Sequence, residues 1–344
     1  MRILIDDKIP YISGFAEQVG EIFYKNGGSI TAEDVRNMDA LIIRTRTHCD
    51  ASLLKDSQVK FIATATIGFD HIDTQYLAKK GIEWTNCPGC NAASVGQYIT
   101  CSLLLLEEAG HIHLSNCTVG IVGVGHVGTQ VEAAVRRLGC RVLLCDPPRA
   151  DKEGKEKFST LEEVMSQADV ITFHTPLTRN GDHPTYHLAD ASFFEHLPKC
   201  PVIINSARGE VVSNSALKAA LKNQKIRTAI VDTWENEPNI DLELLDKVFL
   251  GTPHIAGYSA DGKACGSRMA LSAVARFFGK PDHFEIQPPA LPTDFSYYPE
   301  DTNPTRPADS PLRLYNPRRD SDALKTHPEQ FEYLRGHYPL RREK

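Results

Sequence analysis

The chain has 344 residues, 41% of them hydrophobic and 24% charged, with a formal net charge of −6. This is the composition of an ordinary globular protein of about two domains, able to bury its cores without disulfide staples. The acidic balance argues against nucleic-acid and membrane-surface partners, so an anionic ligand needs a local cluster of positive groups.

The N-terminus meets Asp6 and Asp7 before an apolar signal region can form, and the apolar stretch 99–106 is too short to span a bilayer. The nine cysteines are scattered and odd in number, a usage that suits reduced thiols in a cytoplasm. Cys87 and Cys90 form one Cys-x-x-Cys, a redox pair or half a zinc site by spacing. No second pair accompanies it and Pro88-Gly89 reads as a turn, so no metal is expected.

In chain order, Ile3 to Asp6 reads as a buried strand, 14 to 25 as a helix, and 40 to 44 and 61 to 64 as strands. Residues 70 to 80 read as a helix that stops at Gly81. Alternating strands and helices predict a parallel sheet covered on both faces. A long helix over 92 to 109 leads into a second, more complete parallel lobe. Its strands fall at 118–122, 141–145, 170–173, 202–205, 228–231 and 248–250, with helices at 126–138, 160–167, 188–196 and 214–223. A helix at about 262 to 278 returns to the first lobe.

The expected fold class is therefore α/β with two parallel-sheet lobes, the second a Rossmann-type dinucleotide-binding domain. The expected boundaries are 1–92 with 263–287 for a discontinuous substrate domain, 93–262 for the dinucleotide domain and 288–344 for a C-terminal segment. That segment holds ten prolines in 57 residues, yet Phe331, Tyr333, Leu334, Tyr338 and Leu340 are too apolar for a solvated tail. Disorder, packing on the first lobe and packing on a partner all remain open for it.

The run 121–128, Ile-Val-Gly-Val-Gly-His-Val-Gly, carries Gly123-x-Gly125-x-x-Gly128 between a predicted strand and a predicted helix. Such glycines serve a tight turn, close approach of backbone to a pyrophosphate, and close helix–strand packing. The helix N-terminus that follows attracts phosphate. Asp146, 18 positions past Gly128 at the end of the next strand, can accept both ribose hydroxyls of NAD and repel the extra phosphate of NADP. Arg149 nearby weakens that preference slightly. A structural turn with an ordinary strand-end Asp is the bland alternative.

Arg208, Glu237 and His254 each stand just beyond a predicted strand of the second lobe. Strand carboxyl ends of an open parallel sheet share one edge, where ligands bind. An imidazole can take the proton of an alcohol, a carboxylate can stabilise the imidazolium formed, and a guanidinium can grip a substrate carboxylate. Taken singly, Arg208 and Glu237 can also be solvated loop residues, and His254 a satisfied structural histidine.

The fingerprint, Asn205-Ser206-Ala207-Arg208-Gly209, Trp234-Glu235-Asn236-Glu237-Pro238 and Pro253-His254-Ile255-Ala256-Gly257 together resemble the D-isomer-specific 2-hydroxyacid dehydrogenases, over about residues 1 to 280. The resemblance implies oxidation of a 2-hydroxy acid with NAD, with Arg208, Glu237 and His254 in the active site and His254 as acid/base. It also implies Gly123, Gly125, His126, Val127, Gly128, Asp146, Thr175, Ser206, Ala207, Arg208, Asp232 and Gly257 on NAD. The runs 44–47, 65–71, 87–92 and 145–149, with 315–320 and 331–335 in the tail, narrow it to a branch acting on a small phosphorylated acid. For that branch the resemblance implies substrate contacts at Thr45, Thr66 and Tyr258, and a homodimer built by the C-terminal segment. Gln97 stands where an acidic residue is expected. Arg44 and Arg46 share one side of an extended strand end and Thr45 takes the other, so either side can serve the phosphate. Two other readings are a family member acting on 3-phosphoglycerate or a simple 2-hydroxy acid, and a non-enzymatic NAD-sensing corepressor.

Overall fold

The computed structural model describes residues 1–291, 306–307 and 309–343. The parts of the expected C-terminal segment at 292–305, 308 and 344 lie outside the described residues. Two compact units result. Unit 1 holds Met1–Asn91, the described residues from Ser259 to 291, and Glu343; unit 2 holds Ala92–Tyr258 and the described C-terminal residues up to Arg342.

Unit 1 carries β1 (Arg2–Asp6), β2 (Glu21–Lys25), α1 (Ala32–Val35), β3 (Ala40–Ile43), α2 (Ala51–Leu54), β4 (Phe61–Thr64), α3 (Thr74–Lys80) and β5 (Glu83–Thr85). The strands form one parallel sheet in the order β2-β1-β3-β4-β5. Alternate residues feed two cores, Ile3, Ile5, Ile42 and Ala63 on one face and Leu4, Leu41, Ile43 and Ile62 on the other. This is the two-faced burial that makes parallel strands continuously apolar. The strand order reverses between β1 and β3, so their carboxyl ends, at Asp6 and Arg44, mark the unit's switch point.

The helix expected over 14 to 25 is not there. Residues Ala16–Gln18 make a single 3-10 turn and 21 to 25 form β2, pairing Ile22 with Ile3 and Tyr24 with Ile5. Gly20 brings backbone against the Met1 carbonyl, where a Cβ would collide. The β-branched and aromatic run Ile22-Phe23-Tyr24 then favours the sheet edge. Helix α3 starts at Thr74 because the Asp73 side chain caps it through Tyr76 N, and it ends at left-handed Gly81 as expected.

Unit 2 carries α4 (Ala92–Glu108), β6 (Thr118–Val122), α5 (His126–Arg137), β7 (Arg141–Cys145), α6 (Pro147–Glu153), α7 (Leu161–Gln167), β8 (Val170–Phe173), α8 (Ala191–Glu195), β9 (Val202–Asn205), α9 (Asn214–Lys222), β10 (Thr228–Val231), α10 (Leu242–Lys247) and β11 (Leu250–Gly251). Its six parallel strands run β11-β10-β9-β8-β6-β7, reversing between β6 and β8. Helix α11 (Ala260–Phe277) belongs to unit 1, capped by Ser259, so the boundary falls at Tyr258 rather than at 262.

The described C-terminal residues do not form a body of their own. Helices α12 (Pro311–Leu314), α13 (Pro317–Thr326) and α14 (Phe331–Gly336) complete unit 2. Leu324 and Phe331 enter one of its cores, Leu312 and Tyr315 the other. Ser321 Oγ accepts from Gly251 N at 3.0 Å, which caps the open edge of β11. Arg341 is fully buried; its Nε donates to Gln97 Oε1 at 2.7 Å, its Nη2 to Ser94 O at 2.6 Å, and its guanidinium lies 3.6 Å from the Tyr315 ring centroid. Gln97, standing where an acid was expected, is thus the anchor for the tail's buried cation. Burial of this apolar set removes the disordered reading for the described tail residues.

The thiols of Cys87 and Cys90 are pushed up by burial, Cys90 to about 12, and Cys87 Sγ donates to Gly266 O at 3.3 Å. Among the described residues no group of three or more His, Cys, Asp or Glu side chains could hold a metal ion, and no helix is long and apolar enough to cross a membrane.

Candidate active site

The dinucleotide cradle stands at the switch point of unit 2. Gly123 ends the β6 turn at φ +91, where a Cβ would press 2.8 Å from Thr175 N. A Cβ on Gly128 would strike the Gly123 carbonyl, so α5 packs back on the turn that precedes it. Around Gly125, by contrast, nothing lies within 4 Å of an added Cβ. Gly123 thus takes the turn, Gly128 the packing of α5, and Gly125 leaves open space at the N-terminus of α5. Val127 turns its side chain to the core and Ala207 is buried, so only backbone is available at these two positions.

Asp146 follows β7. Its Oδ2 accepts from Val124 N at 2.8 Å and its Oδ1 from Arg149 N at 3.0 Å, which ties it to the glycine turn and to the start of α6. The Arg149 guanidinium is held by both carboxylate oxygens of Glu153, at 2.7 and 2.8 Å, and by Val124 O at 2.6 Å. It is therefore not presented as a phosphate clamp, which strengthens the NAD reading of Asp146. Replacing Asp146 with Asn keeps the helix cap but removes the charge. We expect the NADP-to-NAD ratio of kcat/KM to rise about 10-fold, checked by steady-state assays with both cofactors.

Two buried hydroxyls just past the strands, Thr175 Oγ1 after β8 and Ser206 Oγ after β9, have no hydrogen-bond partner. Buried orphans of this kind call for a ligand that completes them. With the open Gly125 turn and Asp146 they fit a bound dinucleotide. His174, which precedes Thr175, is pushed down to about 3 by burial, so it is a neutral ring paired to Thr172 Oγ1 at 2.9 Å.

The three candidate catalytic residues arise from loops after β9, β10 and β11. His254 Nδ1 lies 2.8 Å from Glu237 Oε2, and Trp234 N donates to Glu237 Oε1 at 2.9 Å. A carboxylate acceptor at Nδ1 assigns the proton there and leaves Nε2 as the lone-pair nitrogen. Burial alone would raise the Glu237 carboxyl, but His254, the Trp234 N–H and Arg335 outweigh it and hold its pKa below the usual value. Arg208 stands in extended backbone before a short 3-10 turn, its own Nη1 donating to Ala207 O at 2.8 Å and its carbonyl accepting from Asn205 Nδ2 at 2.9 Å. The next residue, Gly209, packs directly on the Trp234–Glu235 backbone. The Arg208 turn and the Glu237 loop are therefore joined main chain to main chain.

Asp232 is fully buried, and burial raises its carboxyl despite opposing contacts. Its oxygens accept from Thr252 Oγ1 at 2.6 Å, Ile255 N at 2.8 Å and Ala256 N at 3.0 Å, and its carbonyl accepts from His254 N at 2.9 Å. The resemblance implies Asp232 on NAD. The structure adds a second task, holding the loop on which His254 adopts φ +56. Gly257 sits in the turn closed by Tyr258 N on Ile255 O at 2.8 Å. His126 opens α5 and is exposed.

The expected substrate residues divide between the units. Thr45 is exposed at the switch point of unit 1, beside Arg44, whose Nε pairs with the buried Asp6 Oδ2 at 3.1 Å. Thr66 Oγ1 donates to Gly68 O at 2.9 Å and lies 2.6 Å from Thr64 Oγ1. Tyr258 is in unit 2, where its hydroxyl accepts from Arg335 Nε at 3.2 Å. Sequence reasoning missed Gly209, Thr252 and Arg335. Gly209 stands in the run 205–209 and Arg335 in the run 331–335, but neither run by itself shows what these residues touch.

A family model described as "D-isomer specific 2-hydroxyacid dehydrogenase, NAD binding domain" matches residues 106–256. The chain belongs to the D-isomer-specific 2-hydroxyacid dehydrogenases. A relative from Bacteroides thetaiotaomicron, named erythronate-4-phosphate dehydrogenase, is 53% identical over 100% of this chain and 97% of its own length. A relative of the same name from Proteus mirabilis is 42% identical over 100% of this chain and 93% of its own. Among solved structures, a D-lactate dehydrogenase from Aquifex aeolicus complexed with NAD and lactic acid superposes with a TM-score of 0.67. It is 24% identical, over 80% of this chain and 95% of that one, and shares the fold.

Proposed function

We propose that this chain oxidises 4-phospho-D-erythronate to 2-oxo-3-hydroxy-4-phosphobutanoate, a step of pyridoxine 5'-phosphate (vitamin B6) biosynthesis. The observation that carries the chemistry is the 2.8 Å pair of His254 Nδ1 with Glu237 Oε2, joined through Gly209 to the Arg208 turn. The full-length likeness to relatives named for that substrate supports the choice of acid.

NAD held by the glycine turn, Asp146, Thr175 and Ser206 would supply the hydride acceptor. His254 Nε2 takes the proton of the C2 hydroxyl. Glu237 keeps the ring in the right tautomer and stabilises the imidazolium. Arg208 binds the substrate carboxylate and polarises the forming carbonyl. The family resemblance implies substrate contacts at Tyr258, Thr45 and Thr66, and Arg44 and Arg46 carry charge that suits a phosphate. We further propose a cytoplasmic homodimer. Tyr333, 59% exposed on α14 while Phe331 beside it is buried, supports a partner face on the C-terminal helices.

The direct test is NADH absorbance with 4-phosphoerythronate, 3-phosphoglycerate and an unphosphorylated 2-hydroxy acid. A higher kcat/KM for either competitor overturns the substrate assignment. The role of Glu237 is read separately from pH dependence. Oxidation needs a neutral His254, and an anionic neighbour favours the imidazolium. Glu237→Gln removes that anion, so the acid limb of the kcat/KM profile moves to lower pH while kcat falls about 10-fold or more. An unmoved limb would count against the pair.

A further inference from the structure

Arg335 stands outside the matched family domain, on the C-terminal helix α14, yet it reaches the two side chains beside the proton-transfer site. Its Nε donates to Tyr258 OH at 3.2 Å and its Nη1 lies 3.8 Å from Glu237 Oε2, the oxygen that holds His254. The side chain is 24% exposed, so solvent screens it only in part. We propose that Arg335 is a positioning residue of this enzyme: it fixes the Tyr258 hydroxyl for the substrate and offsets the charge of Glu237, the carboxylate that holds His254. This rests on the assignment of His254 under the proposed function.

The charge balance has a definite sign. His254 faces two carboxyl groups, Glu237 and Asp232. Glu237 faces His254 and Arg335, and Arg335 faces Glu237, Tyr258 and Glu332, with Glu332 Oε1 at 4.0 Å on its own helix. Arg335 is thus the cation that moderates the pull of Glu237 on the imidazolium. Without it the negative charge of Glu237 acts on the ring with less opposition. Helix α14 is seated by Phe331 in a core of unit 2, so the guanidinium is delivered by a packed element.

The test is a pH profile of kcat/KM for 4-phosphoerythronate with full-length Arg335→Met and Arg335→Lys, each checked by thermal melting. Arg335→Met should move the acid limb up by about half a pH unit or more and raise KM about 10-fold. Arg335→Lys keeps the charge, so its limb stays near the parent while KM remains raised through the lost contact with Tyr258. If Arg335→Met does not fold, Arg335→Gln carries the same expectation. A limb that stays in place in the neutral variants, or moves equally in Arg335→Lys, overturns the proposal. His254→Gln run in parallel separates the two readings. Retained turnover there overturns the base assignment itself, whereas an inactive His254→Gln with an unmoved Arg335 limb overturns only the role of Arg335.

Discussion

Replacing His254 with Gln is expected to lower kcat about 100-fold or more, with NAD affinity little changed. Gln keeps a donor that can face Glu237 Oε2, now 2.8 Å from His254 Nδ1, so the loop should keep its shape. What it loses is a titratable nitrogen for the substrate proton. The loop is anchored independently of the ring, through His254 N on the Asp232 carbonyl and through Ile255 N and Ala256 N on the Asp232 carboxylate. A melting temperature near that of the parent, together with the fall in kcat, would assign the loss to chemistry. Near-normal turnover would sink the mechanism, because no other group in the described geometry stands at the end of the Glu237 pair.

The second large effect lies one residue from Arg208. Gly209→Ala should destabilise unit 2 by about 3 kcal/mol and reduce kcat/KM sharply. The added Cβ would collide with the Trp234 carbonyl and lie 2.6 Å from Glu235 N. Both neighbours are backbone, so no rotamer change relieves the overlap. Either the turn carrying Arg208 or the loop carrying Glu237 has to move, and a displacement of about 1 Å at such a site can cost about 100-fold. A fall in melting temperature of roughly 6 to 12 °C follows from that energy for a domain of this size. Gly125→Ala is the control, since nothing lies within 4 Å of its Cβ. It should leave stability nearly unchanged and raise KM for NAD, because the cradle needs that space. Equal melting temperatures for the Gly209 variant, the Gly125 variant and the parent would show that the backbone packing is looser than described.

These two residues differ in how they could be found. The proposed role of His254 is readable along the chain because it depends on residue type and on a strand end. That of Gly209 is not, because its constraint comes from Trp234, 25 positions away, and no local pattern announces a backbone pressed on backbone. The same division runs through the fold. Strand β4 and helix α5 were legible from local signals: a short apolar run in one, a glycine turn and amphipathic spacing in the other. The stretch from 14 to 25 was misread as a helix because its apolar spacing fits both periods over so short a span. Pairing with β1 decided for the strand. The tail was open between disorder and packing, since its prolines and its apolar residues pointed in opposite directions. The buried Arg341 and the side chains of Leu312, Tyr315, Leu324 and Phe331 pack within unit 2, so the reading of a tail packed on the first lobe is corrected.

By itself, then, the amino-acid order determined the parallel α/β class, and it offered the glycine turn with Asp146 and the set Arg208, Glu237 and His254 as candidates. Each of these is written in residue type and short-range spacing. Only the tertiary structure decided that Glu237 and His254 meet at 2.8 Å, that Asp232 holds the loop beneath them, and that Arg335 arrives from the far end of the chain. The reason is physical: a hydrogen bond or an ion pair across 17 to 98 residues depends on how sheets and helices pack, and packing is a property of the whole core rather than of any window along the chain.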